Sequence, residues 1–159
     1  EILTRLHLAG PHLETDFETA ELLVDLIVTE ARFHCSATNL GPNTVLAHLV
    51  RRLFDAGVLA PGDLAAMTDA EVEGRLFGTP ATKEEAKRLW YQSQAIGVQR
   101  LDNGDAPPGA RLVEMDHLYL AMPLVDGRAV MQVSSQAADL LHEAQQLCGM
   151  YAVYWILDM

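Results

Sequence analysis

Six histidines lie among 22 acidic residues, so metal binding is the first chemistry to test. The spacings that put ligands on one helix face, H-E-x-x-H or H-x-x-x-H, are absent. No His-Asp dipeptide occurs either: His7, His12, His34, His48, His117 and His142 are followed by Leu, Leu, Cys, Leu, Leu and Glu. His34 beside Cys35, and Asp116 beside His117, are the remaining sources of ligands or of an acid-base pair. Neighbours in sequence diverge on a helix or a strand, which weakens both pairs. The composition therefore assigns no metal ligand set in this chain. A small enzyme assembled from His34, Cys35 and Asp116 is the least favoured reading.

Nucleophilic catalysis would draw on Cys35, Cys148, Ser134 or Ser135, but no serine sits in a G-x-S-x-G elbow. Ser134 or Ser135 has a structural use as a helix cap. The acidic pairs Glu84-Glu85 and Glu71 with Glu73 fall in first turns of expected helices, where negative charge suits the helix dipole. No glycine-rich phosphate loop is encoded. Cations are scarce, and their grouping is the sharper signal. Lys83, Lys87 and Arg88 on one helix and Arg111 in the sheet region are the candidates for a nucleotide or phosphate site, chosen on charge alone. The competing reading is ion pairing, with Glu84 and Arg88 in the favourable i,i+4 sense.

The formal charge of the 159 residues is -11, which repels nucleic-acid backbones and anionic membranes. Neither is an expected partner. The cysteines form no C-x-x-C pair, and two buried thiols in a cytoplasmic protein are the simplest reading. No apolar run approaches the roughly 20 residues a membrane-spanning helix needs. The chain starts at Glu1 without an initiator Met, which suggests a piece of something longer.

The expected frame is α+β: a helical first part, then a small, mainly antiparallel sheet with one packed helix. Residues 1–14, broken by Gly10-Pro11, read as a short helix or arm. Thr15 with Glu18 reads as a capping box opening a helix to Arg32 or Phe33. That helix is apolar on so much of its surface that it belongs inside the fold. Val45, Leu46, Leu49, Val50, Leu53 and Phe54 form the seam of a second helix, ended by Gly57. Pro61 and Asp63 open a short turn. Thr68 with Glu71 and Thr82 with Glu85 read as further capping boxes, the last starting a helix to about Ile96 with Gly97 as its stop.

Residues 102–109 read as a loop dividing a helical region, 1–101, from a small α+β region, 110–159, packed on it as one domain. In the second region, Arg111 to Met115 and Leu118 to Leu124 read as strands. Asp126-Gly127 makes a hairpin turn because both positions tolerate positive φ, and Ala129 to Val133 is the return strand. A serine-capped helix ended by Gly149 follows, and Met150 to Leu157 reads as a last buried strand.

The run FHCSATNLGPNTVLAHLVRRLFDAGVLAPGDLAAMTDAEVEGRL, with LYLAMPLVDGRAVMQVSSQAADLLHEA and YAVYWIL further on, resembles the C-terminal, HD-associated region of HD-domain phosphohydrolases of the deoxynucleoside-triphosphatase type. The resemblance covers about two thirds of the chain and is one of pattern and phrase. The His, His-Asp and Asp ligands that define the family have no counterpart here. The resemblance then implies an accessory region, noncatalytic alone, that supports the active cleft, oligomer contacts or a nucleotide effector site. Its partners would be a catalytic HD module or a sister subunit in a homo-oligomer, and a divalent metal would belong to that absent module. The alternative from another class is a stand-alone α+β interaction domain that binds a protein through its sheet edge or last helix.

Overall fold

In the computed structural model, which describes residues 2–102 and 104–156 (2 and 3 by backbone alone), the Asp16 carboxylate accepts from the amide of Thr19 at 3.0 Å. Asp16, not Thr15, thereby caps the first long helix, α1 (Phe17–His34). Thr15 is buried and spends its hydroxyl on the carbonyl of Arg5 at 2.9 Å. The chain is α+β. It divides into two compact units, one of Glu1–Cys35 with Glu114–Met150, the other of Ser36–Val113 with Tyr151–Met159.

In the first unit, a 3-10 turn (Ile2–Arg5) leads into a hairpin of β1 (His7–Ala9) and β2 (His12–Glu14). The arm expected at 1–14 is thus partly sheet. Strand β2 pairs in parallel with β5 (Leu124–Val125), and β5 turns back antiparallel into β6 (Arg128–Ala129). The turn between them has Asp126 at φ 50 and Gly127 at φ 71, the positive pair a two-residue hairpin requires. Both strands are shorter than expected. Residues 118–123 carry no regular structure, and Val130–Gln132 form a 3-10 turn where a return strand was expected.

Ser134 caps α6 (Ser135–Gln145), accepting from the Ala137 amide at 3.1 Å and donating to Glu21 at 2.6 Å. Helices α1 and α6 close a core of Ala20, Val24 and Val28 against Val130, Ala137 and Ala144. Contrary to expectation, α1 is buried on one side only. Leu22, Leu26 and Phe33 point outward, because residues at i, i+4 and i+11 stand opposite the Val24–Val28 stripe on a 3.6-residue period.

In the second unit, α2 (Leu40–Asp55) carries Val45, Leu49 and Leu53 into a core shared with α4 (Asp69–Gly78), α5 (Lys83–Gln92) and a sheet. Gly57, at φ +67, follows the helix end, a conformation glycine adopts without steric cost. The short α3 (Pro61–Leu64) has Asp63 accepting from the Ala60 amide at 3.3 Å. Thr68 and Glu71 form the reciprocal capping box expected for α4.

After Gln92 the chain leaves the helix through a 3-10 turn (Ser93–Ala95) and enters β3 (Ile96–Arg100). The sheet order is β3, β7 (Gly149–Trp155), β4 (Arg111–Met115), with β3 and β7 antiparallel. Strands β1, β2 and β3 therefore lie in the part read as helical. Gly97 does not stop a helix: it pairs with Tyr154, and a Cβ there would stand 2.6 Å from Tyr154 Cζ. Gly149 begins β7, helix α6 having ended at Gln145. Leu157, expected as the last strand residue, and Asn103 of the expected loop lie outside the described residues. Neither Cys35, which is buried, nor Cys148, which is partly buried, is in a disulfide. Among the described residues no helix is long and apolar enough to cross a membrane.

Candidate anion-binding groove

Glu85 is the residue around which the second unit's polar chemistry gathers. Helix α5 buries Ala86 and Leu89, and Glu85 lies beside them on the helical wheel, so its carboxylate is drawn inward. There it accepts from Trp155 Nε1 at 3.0 Å and from Arg111 at 2.5 Å through one oxygen, and from Arg52 at 3.3 Å through the other. Only 17 % of its side chain is exposed. Burial by itself would raise its pKa. The Trp155 hydrogen bond, then the charge and hydrogen bond of Arg111, outweigh that and hold the carboxyl below its ordinary range.

The expected capping box of Thr82 with Glu85 is therefore not made. Thr82 is fully buried and donates its hydroxyl to the carbonyls of Leu76, at 2.7 Å, and Thr79, at 3.2 Å. Glu85 is instead the hub of an ion-pair cluster that sequence reasoning missed. The signal was present: a carboxylate next to inward-facing Ala86 and Leu89 needs cations within reach, and few exist in so acidic a chain.

Beside the cluster a groove of about 410 Å³ opens between α2 and β4. One wall is a helical face, with Asn43, Thr44, His48 and Arg51 at the spacing of successive turns. The other is Arg111, Leu112 and Val113 of β4. His48 has its pKa lowered by burial first, then by the positive charges of Arg111, Arg52 and Arg51, with Glu85 opposing. Arg51 and Arg111 line the groove, Arg52 adds a third positive charge that acts on His48 while pairing with Glu85, and together with burial these charges favour the neutral form of the His48 ring. Arg51 is exposed and has no ion-pair partner among the described residues. Arg111 Nε is buried without a hydrogen-bond partner. The groove is a place where fixed positive charge exceeds negative charge in a protein of charge -11.

Of the four residues singled out by charge, Arg111 lines this groove. Lys83 is exposed at the start of α5, and Lys87 pairs with Glu84 at 3.1 Å. Arg88 is not paired with Glu84. Its guanidinium lies 4.4 Å from the centre of the Trp155 ring and donates to the Ile156 carbonyl at 3.4 Å, a cation–π contact that fixes it against β7. In the first unit, Asp116 accepts from His117 at 2.7 Å and His34 lies 3.6 Å from Glu30. Cys35 is buried at the end of α1. Among the described residues no group of three or more His, Cys, Asp or Glu stands where it could hold a metal ion.

No protein-family model, no curated protein and no solved structure matches the chain.

Proposed function

We propose that this chain is an accessory, noncatalytic region of the HD-type nucleotide phosphohydrolase kind, cytoplasmic, working beside a catalytic HD module or a sister subunit. Its ligand-binding surface is the α2–β4 groove, which accepts the phosphate end of a nucleotide. What supports this is that Arg51, beside His48 on the helical wall, and Arg111 on the strand wall line one groove, with Arg52 adding a further positive charge nearby. Arginine suits the role because its planar fork matches phosphate oxygens.

The experiment is calorimetric titration with inorganic pyrophosphate and with a nucleoside triphosphate at low salt, alongside a phosphate-release assay. Arg51→Ala is the clean probe, since Arg51 takes no part in the Glu85 cluster. Losing one charge-assisted contact of about 1.5 kcal/mol weakens binding about tenfold. Lys83→Ala and Lys87→Ala leave it unchanged. Binding that ignores Arg51 but falls with Lys83 or Lys87, or phosphate release by the isolated chain, would overturn the reading.

The alternative, a stand-alone interaction domain, draws on one observation: β4 is an outer strand of its sheet and Leu112 on it is 60 % exposed. An outer strand can accept an extended segment as an added strand. Indifference to pyrophosphate, with exchange protection of the Leu112 and Val113 amides on adding such a segment, would favour it.

A further inference from the structure

The α2–β4 groove is charged at one end only. On its helical wall Asn43, Ala47 and Arg51 follow one another at i, i+4 and i+8, so they form one exposed row along α2. Arg51 ends the row. Arg111 belongs to the same end, since among the charges its own acts most on His48 and it shares the Glu85 carboxylate with Arg52. The other end is lined by Leu40, Asn43 and Thr44 and carries no charge.

The two ends are far apart. Eight residues separate Asn43 from Arg51, which is about 12 Å of helix at about 1.5 Å per residue. Between them stands Ala47, whose methyl group leaves the middle of the row low. At the uncharged end Asn43 donates one amide hydrogen to Asn39 Oδ1 at 3.1 Å. Its second hydrogen and its carbonyl oxygen have no partner among the described residues, so it offers a donor and an acceptor side by side.

A ligand that fills such a groove is anionic at one end, narrow in the middle and uncharged but hydrogen-bonding at the other. Inorganic phosphates satisfy the first condition and leave the Asn43 end empty. A mononucleotide holds its phosphate only one sugar away from its base, short of the span. We infer that the groove takes a nucleoside di- or triphosphate lengthwise, its phosphates at Arg51 and Arg111, its sugar over Ala47 and its base at Asn43. The inference rests on the phosphate-binding reading of the groove and adds Asn43 as the residue that meets the base.

Calorimetric titration of the full chain with ATP, tripolyphosphate and pyrophosphate at low salt tests it. ATP is expected to bind more tightly than tripolyphosphate although it carries less charge. Asn43→Ala is expected to weaken ATP alone by about fivefold, the size of one net hydrogen bond. Ala47→Leu sets a branched side chain across the row and is expected to weaken ATP by about tenfold while sparing pyrophosphate. Both positions are exposed, and unchanged circular dichroism verifies folding. Tripolyphosphate bound as tightly as ATP overturns the lengthwise seating. So does ATP binding that ignores Asn43→Ala, or an Ala47→Leu variant that weakens both probes or neither. If pyrophosphate still binds and still needs Arg51 in those cases, the phosphate end stands. Binding of none of the three removes the phosphate-binding reading and this inference with it.

Discussion

Glu85→Ala is expected to destabilise the protein by about 3 kcal/mol, the lower part of the range for removing one member of a mostly buried ion cluster. The loss has a specific origin. Trp155 Nε1 and the guanidinium groups of Arg111 and Arg52 converge on this carboxylate, and without it two cations remain close together with no counter-charge. Glu84→Ala is the control. Glu84 is one residue away and pairs with Lys87, but its side chain is 80 % exposed, and a solvated pair of this kind contributes about 0.5 kcal/mol or less. Denaturant unfolding of the two variants should give clearly different midpoints, and equal midpoints would remove Glu85 from its central place.

The same residue sets an acid response. Its folded pKa lies below the ordinary 4.5, so on acidification the unfolded chain takes up this proton before the folded one. The stability it contributes is fully present above the unfolded value and is lost as pH falls through the folded value. Glu85→Gln, which cannot titrate, is expected to flatten that part of the stability curve. An acid limb identical to wild type would contradict the assignment.

The second large effect separates two leucines that look alike in the sequence. Leu49→Ala is expected to cost about 3 kcal/mol, because Leu49 is wholly enclosed among α2, α4, α5 and β3 and its removal leaves a cavity. Leu26→Ala, on the outer face of α1, is expected to cost about 0.5 kcal/mol or less in dilute solution. Measured at dilution, the pair reports which side of each helix faces a core. Equal losses would mean that α1 is enclosed within the single chain.

That contrast also marks what the sequence could and could not show. The seam of α2 was legible because Val45, Leu49 and Leu53 recur against His48, Arg51 and Arg52, so one period satisfies only one burial. On α1 leucine and valine occur all round, and the period alone does not say which stripe meets α6. The turn at Asp126-Gly127 and the caps at Thr68 and Ser134 were readable because each depends on a few adjacent residues. Gly97 was misread as a helix stop since the reason for it is Tyr154, more than fifty positions away. Glu85 was misread for the same kind of reason: three residues after Thr82 it satisfies a local rule, yet Trp155, Arg111 and Arg52 claim it through the fold. The groove shared this fate. Arg111 was visible as a scarce cation, but its meeting with His48 and Arg51 depends on β4 lying along α2.

His48 reports on the groove from inside, and its ring resonances followed by NMR through a pH titration test the central claim most directly. Burial and the charges of Arg111, Arg52 and Arg51 hold its pKa below the usual 6.5. An anion seated between Arg51 and Arg111 offsets those charges, so millimolar pyrophosphate is expected to move the His48 midpoint upward beyond the change produced by sodium chloride of equal ionic strength. Superimposable curves in pyrophosphate and chloride would contradict the account.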